Sequence, residues 1–249
     1  MSFVDLDRTF FPWTEDRSPA LDPQLLSSLS GSLHWPEVTK FPRVVVLAEA
    51  GSGKSDELKN QAAALQAMGR LAFYATVQDV ANDGLPAALR PKDRAPFVEW
   101  KATGAQAWLF VDSIDEAKLD GIRLETALRQ LADAIEGHSV KANIILSGRI
   151  TDWEFRADLT RFEEFLPVPV SRPALSPEAP QEDLVRMLNH ERRREKADAA
   201  AKPRILLMTQ LDSARIRTFA AAKGVERVDE FINAIGEADL WTLLDGRRT

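Results

Sequence analysis

The stretch Val44-Val45-Val46-Leu47-Ala48-Glu49-Ala50-Gly51-Ser52-Gly53-Lys54-Ser55 constrains this chain more than any other. An apolar run enters a glycine-containing loop, the loop closes on Gly-Lys-Ser, and an amphipathic segment follows at once. Physically this is a buried strand, a loop of bare backbone N–H groups and the positive end of a helix. That arrangement suits a polyphosphate. The full pattern is G-x-x-x-x-G-K-[ST], and Ala48 stands where its first glycine would be. The competing reading is a glycine-rich turn with an exposed lysine. The strand-to-helix setting favours phosphate binding.

Downstream the chain alternates between two periods. Leu58, Ala62 and Leu65 recur at helical spacing from Lys54 to about Met68, with Gly69 as the stop. Strands are expected at 44–47, 71–77, 107–111 and 142–146, and an edge strand at 165–170, because Pro167 and Pro169 suit only an edge. Residues 83–106 are mixed, with a short helix from Ala95 to Lys101. Leu124, Leu128, Leu131 and Ile135 mark a further helix. Apolar strands alternating with helices predict an α/β fold: a parallel sheet covered by helices, followed by a small helical lid.

Three segments follow from this pattern: a lead-in over 1–40, a core over 41–175, and a third unit over 176–249. The lead-in carries Phe3, Phe10, Phe11 and Trp13, which could stack on a nucleotide base or pack the sheet edge, and a helix start at Asp22-Pro23. The prolines within 171–181 mark the boundary to the third unit. There a charged helix is expected over 182–200, then a strand over 204–209 and helices from Asp212 or Ser213, from Asp229 and from Asp239. The basic run Arg192-Arg193-Arg194 is flanked by glutamates and reads as a solvated helix face.

Charge and composition exclude several classes of function. A net charge of −6 gives no general attraction to nucleic acid or an anionic membrane surface. There is no cysteine, so disulfides and thiolate metal sites are excluded, and His34, His138 and His190 lack ligand spacing. No run of apolar residues is long enough to span a bilayer. The first residues lack the basic start of a secretory leader, and a cytoplasmic protein is expected.

The ends of the strands hold the chemistry, where open α/β sheets bind ligands. Amides from Glu49, Ala50, Gly51, Ser52 and Gly53 to Lys54 would cradle phosphates, Lys54 would pair with the β and γ phosphates, and the Ser55 hydroxyl would reach Mg²⁺. Asp56 suits the helix dipole but stands close to phosphate charge. Asp112 follows an apolar strand, as a metal-associated carboxylate does, and one carboxylate with Ser55 is a sufficient protein share for Mg²⁺. Asp115 and Glu116 lie where a carboxylate can activate a water, and Glu116 is favoured for that role. The alternative is that the pair only opens a loop. Arg149 suits a γ-phosphate contact or an ion pair with a local carboxylate such as Asp152. No Asn-Lys-x-Asp guanine motif is present, which favours ATP and ADP.

Residues 48–55, the run Phe110-Val111-Asp112-Ser113-Ile114-Asp115-Glu116 and Ile144-Ile145-Leu146-Ser147-Gly148-Arg149 resemble the nucleotide-binding core of NACHT-type STAND NTPases. The family reads Asp-Gly-x-Asp-Glu after the apolar strand and Thr-Ser-Arg later. This chain has Ser113 for the glycine and Ser-Gly-Arg for Thr-Ser-Arg. The stretch 212–244 resembles the lid that follows such cores. The resemblance implies a switch that exchanges ADP for ATP and assembles with itself or with effector and sensor chains, in bacteria often against phage. Members usually carry an effector before the core and repeats after it, so this chain reads as a short copy or a module working with others. A P-loop small-molecule kinase and a nucleotide-binding scaffold without turnover are the competing readings.

Overall fold

The apolar run at Val44 becomes strand β2 (Arg43–Ala48), with every residue buried. Period-two alternation sends Val44 and Val46 to one face and Val45 and Leu47 to the other, and each pair joins a different core cluster. A strand can be apolar on both sides only if both faces are covered, which is why the sequence shows a continuous run. The computed structural model describes residues 3–14, 32–169, 202–230 and 232.

The other strands are β1 (Phe10–Pro12), β3 (Leu71–Thr76), β4 (Ala107–Asp112), β5 (Ala142–Arg149) and β6 (Arg204–Met208). They form a six-stranded sheet in the order β1-β6-β2-β5-β4-β3. Only β1 runs antiparallel, pairing Phe10 with Met208 at the edge. The remaining neighbours are parallel, so β2, β4 and β5 bring their carboxyl ends to one rim of the sheet. The strand expected at 204–209 is β6, and it lies inside this sheet beside β2.

One face is covered by α1 (Trp35–Val38) and α2 (Lys54–Ala67), through Trp35, Val38, Leu58 and Ala62. The other face carries α3 (Val77–Asp83), α4 (Leu85–Ala88), α5 (Pro91–Thr103), α7 (Leu124–Ala134) and α8 (Phe155–Phe165). Between β4 and α7 lies α6 (Ile114–Leu119), and after β6 comes α9 (Ser213–Ala222), capped by the Asp212 carboxylate. The mixed region 83–106 is thus more helical than expected, and α5 starts earlier because Pro91 occupies its first turn. None of the described helices is long and apolar enough to cross a membrane.

One expected strand is absent. Phe165 ends helix α8, and residues 166–169 form no strand. Phe155, Leu159, Phe162 and Leu166 recur at helical spacing and pack on the sheet's second cluster, so the helical period prevails there. Pro167 and Pro169 also lack the N–H groups a ladder needs. The Asp22-Pro23 helix start, the charged helix over 182–200, the 171–181 boundary, the basic run and the helix from Asp239 lie outside the described residues.

Candidate functional site

The phosphate-loop pattern sits at the rim. Ala48 still belongs to β2, paired in register with Arg149, and its backbone is not in the left-handed region. A glycine is therefore not required at this position. It is required at Gly51 and Gly53, whose φ values of 74° and 81° place them in the left-handed region. Gly53 is the N-cap of α2, a helix of 14 residues that begins at Lys54. The loop and the positive helix end therefore border the same space, although the Ser52 N–H is directed at the Glu49 carbonyl at 3.4 Å. That space is a cavity of about 180 Å³ bounded by residues 49–56, Ser113, Asp115, Glu116 and Arg149.

Every sequence-selected rim residue except Asp112 reaches this cavity. Asp112 ends β4 at 1% exposure, and both of its oxygens are taken by hydroxyls. Tyr74 Oη donates to Oδ2 at 2.9 Å, and the Ser147 hydroxyl donates to Oδ1. Burial and the adjacent Asp112 charge push the Tyr74 phenol well above its usual range, so it stays a donor. Ser113 follows with φ of 70°, the conformation a glycine would adopt without strain, and its N–H donates to Ser147 Oγ at 3.4 Å. Gly148 lets β5 pass close to α6, since a Cβ there would lie 3.1 Å from Ile114 Cβ.

Asp115 and Glu116 open α6 rather than a loop, and the helix divides them. Glu116 is exposed on the cavity wall, whereas Asp115 is 3% exposed. Asp115 Oδ2 lies 2.7 Å from Arg149 Nε and Oδ1 lies 3.7 Å from Lys54 Nζ. Arg149 therefore does form an ion pair, but with Asp115 from the neighbouring strand's end rather than with Asp152. The donors that suit a hard cation are the half-buried Ser55 hydroxyl and the Asp112 carboxylate. Asp112 lies behind the wall with each oxygen accepting one hydroxyl, so a water would have to bridge it to a cation in the cavity. This fits Mg²⁺, which retains several waters. Among the described residues, no group of three or more His, Asp or Glu side chains could hold a metal directly.

A larger cavity of about 1110 Å³ continues from the other side of the same loop. Its walls include Phe3 and Leu6, Ile216 and Phe219 of α9, and the cations Lys59 and Arg90. Of the two roles foreseen for the aromatic lead-in, the one seen is packing. Phe10 packs the sheet edge against Trp35 at 4.6 Å and Trp13 packs on Phe155 at 5.1 Å, while Phe3 lines the cavity. Sequence reasoning missed Arg8, which is 2% exposed. It donates to the Ser52 carbonyl in the loop and to the Thr209 carbonyl at 3.0 Å, and faces Glu57 Oε1 at 3.5 Å. Glu57 also accepts from the Trp35 indole at 3.1 Å. Burial lowers the Arg8 pKa and raises that of Glu57, each partly offset by the other's charge. Arg215 of α9 then donates to the Leu6 and Asp7 carbonyls at 2.9 and 2.8 Å, tying that helix to the segment that grips the loop. No local pattern marks Arg8, because its partners are 44 and 201 residues away.

Glu49 opens the loop, and burial raises its pKa above the usual 4.5. A raised acid pKa means that the folded chain holds its proton to higher pH than the unfolded chain. The resulting stability is complete below about pH 4.5 and is lost as pH rises through the folded pKa. Glu49→Gln, which removes the charge, is expected to raise the melting temperature at pH 7.5 and to change it little at pH 4. Equal shifts at both pH values in a thermal melt would remove desolvation as the cause.

No protein-family model matches the chain, and no curated protein matches it either. Among solved structures the chain is similar to "Replication initiator DnaA bound to AMPPCP and single-stranded DNA", with TM-score 0.40 and 12% identity over 85% of this chain and 60% of that one. It is also similar to "EssC (ATPases 2 and 3)" from Geobacillus thermodenitrificans, with TM-score 0.28 and 15% identity over 74% of this chain and 49% of that one. A structure of the cytoplasmic domain of EssC gives TM-score 0.29 and 16% identity over 71% and 49%. The chain thus spans 49–60% of the length of these structures. At such scores the site's own geometry must carry the functional reading.

Proposed function

We propose that this chain binds ATP and ADP with Mg²⁺ at the 49–55 loop, hydrolyses ATP slowly, and works as a nucleotide-dependent switch of the NACHT-type STAND kind. The observation that carries the reading is the convergence of the left-handed Gly51 and Gly53, the start of α2, Lys54 and Arg149 on one small cavity. Loop amides and Lys54 hold the phosphates. The Ser55 hydroxyl, with Asp112 through water, holds Mg²⁺, which offsets charge on the phosphoryl oxygens. Asp115 orients Lys54 and Arg149, and the exposed Glu116 orients the attacking water. The base and ribose take the larger cavity beside Phe3 and Phe219, in keeping with the mostly apolar lining of nucleotide sites.

The switch reading draws on the Arg215–Leu6 and Arg8–Ser52 contacts, which connect α9 to the phosphate loop. In this reading the output is a change of assembly, with further copies of the chain or with effector and sensor chains, and antiphage defence is the setting the resemblance suggests. A P-loop kinase is the second reading. It is favoured by a cavity of about 1110 Å³, which exceeds the ~300–1,000 Å³ of a usual ligand site and leaves room for an acceptor.

Glu116→Gln is expected to keep nucleotide affinity by calorimetry while phosphate release slows about 100-fold. Equal turnover in the two proteins would remove Glu116 from the water-orienting role. Light scattering with ADP and then ATP separates a switch, which changes assembly, from a kinase, which instead transfers phosphate to an acceptor in a metabolite screen.

A further inference from the structure

We propose that Asp115 is an internal stand-in for a terminal phosphate and thereby sets how strongly the site prefers a nucleoside diphosphate to a triphosphate. This rests on the nucleotide-binding reading above. Asp115 is buried, and one carboxylate faces both cations of the cavity wall: Arg149 Nε at 2.7 Å and Lys54 Nζ at 3.7 Å. Its Oδ1 is buried without a hydrogen bond. An acceptor left so is costly unless a nearby charge compensates it, and Lys54 is the charge at hand. Asp115 therefore balances the nearly buried Lys54 ammonium and the part-exposed Arg149 guanidinium, and Lys54 in particular would be costly to leave unpaired.

The cavity between loop and Arg149 measures about 180 Å³. Water takes ~30 Å³ in the liquid, so this space has the volume of about six waters, and it extends from the loop to Arg149. Phosphates lying on the loop amides need only the loop and Lys54. One further phosphate must enter between Lys54 and Arg149, where it competes with Asp115 for both cations and stands next to a like charge. Asp56 and Glu116 also border the cavity but are exposed, so solvent and salt screen them, and Glu49 is only half-buried, at the start of the loop. Asp115 is the buried carboxylate on this wall, and its charge bears most on the last phosphate.

The test is calorimetric. ADP and ATP affinities are measured in EDTA, to remove divalent ions, for the wild-type chain and for Asp115→Asn, Asp115→Ser and Asp115→Glu, each checked by thermal melt. The neutral variants are expected to gain about tenfold in ATP affinity relative to ADP, and Asp115→Glu to return the ratio toward wild type. Asp115→Ser carries the test should Asp115→Asn not fold. Binding of both nucleotides with an unchanged ratio in the neutral variants overturns the proposal, as does a loss of ATP affinity, which would make Asp115 a holder of the triphosphate. Binding of neither nucleotide to the wild-type chain is a different result and removes the nucleotide reading itself.

Discussion

Lys54→Ala is expected to lower ATP and ADP affinity by about 100-fold, to the limit of calorimetric detection. Lys54 Nζ is nearly buried and has Asp115 as its ion-pair partner, so its ammonium is held at the loop with little freedom. A charge-assisted hydrogen bond is worth about 1.5–3 kcal/mol, and each ~1.4 kcal/mol is tenfold in affinity. Loss of Lys54 removes such a contact and leaves Asp115 facing the phosphates with only Arg149 to offset it. Unchanged ATP affinity in a folded Lys54→Ala protein would sink the phosphate-loop assignment. The variant's own stability should also fall, because Asp115 Oδ1, buried without a hydrogen bond, loses the charge that compensates it.

The largest effect on stability is expected at the other end of the same strand. Arg43 is fully buried, and its guanidinium is held by carbonyls and one hydroxyl. Its Nε donates to the Leu166 carbonyl at 3.2 Å, Nη1 to the Pro42 and Ala142 carbonyls, and Nη2 to the Ser139 carbonyl and hydroxyl. One guanidinium thus joins the end of α8, the turn before β5 and the start of β2. Burial draws its pKa down to about 10, which leaves it charged at neutral pH. Arg43→Met keeps much of the volume but leaves several buried carbonyls without this donor. It is expected to cost about 3 kcal/mol in urea unfolding. Arg43→Lys should recover less than half, because an ammonium has three donors and no planar fork. Arg43 lies ~17 Å from the loop along an extended strand, so the folded fraction should bind nucleotide normally. A loss below about 1 kcal/mol would mean that water replaces these contacts.

How much was legible depended on how far each signal reached along the chain. The strands β2 to β6 and helices α2, α7 and α9 were readable because their apolar spacing lies within one element. Residues 165–170 were misread because two prolines suggested an edge, while Phe162 and Leu166 continue a helical face that closes on the sheet. Helix α6 was hidden because it is only six residues long and follows the left-handed Ser113. Its presence separates Asp115 from Glu116, a distinction that adjacent sequence positions could not convey.

The sequence by itself determined the elements and the phosphate loop, since a glycine's left-handed backbone and a two- or 3.6-residue period are local properties. It also located the carboxylates and the arginine that would stand at strand ends. Tertiary structure alone decided the strand order, the pairing of Arg149 with Asp115 instead of Asp152, and the hydroxyls that occupy Asp112. It alone placed Arg8 beneath the loop and Arg43 among carbonyls from three segments. These contacts join residues from 34 to 201 positions apart. Which partners meet across such distances is set by how the sheet and its helices bury their apolar faces, and no local pattern in a single chain records it.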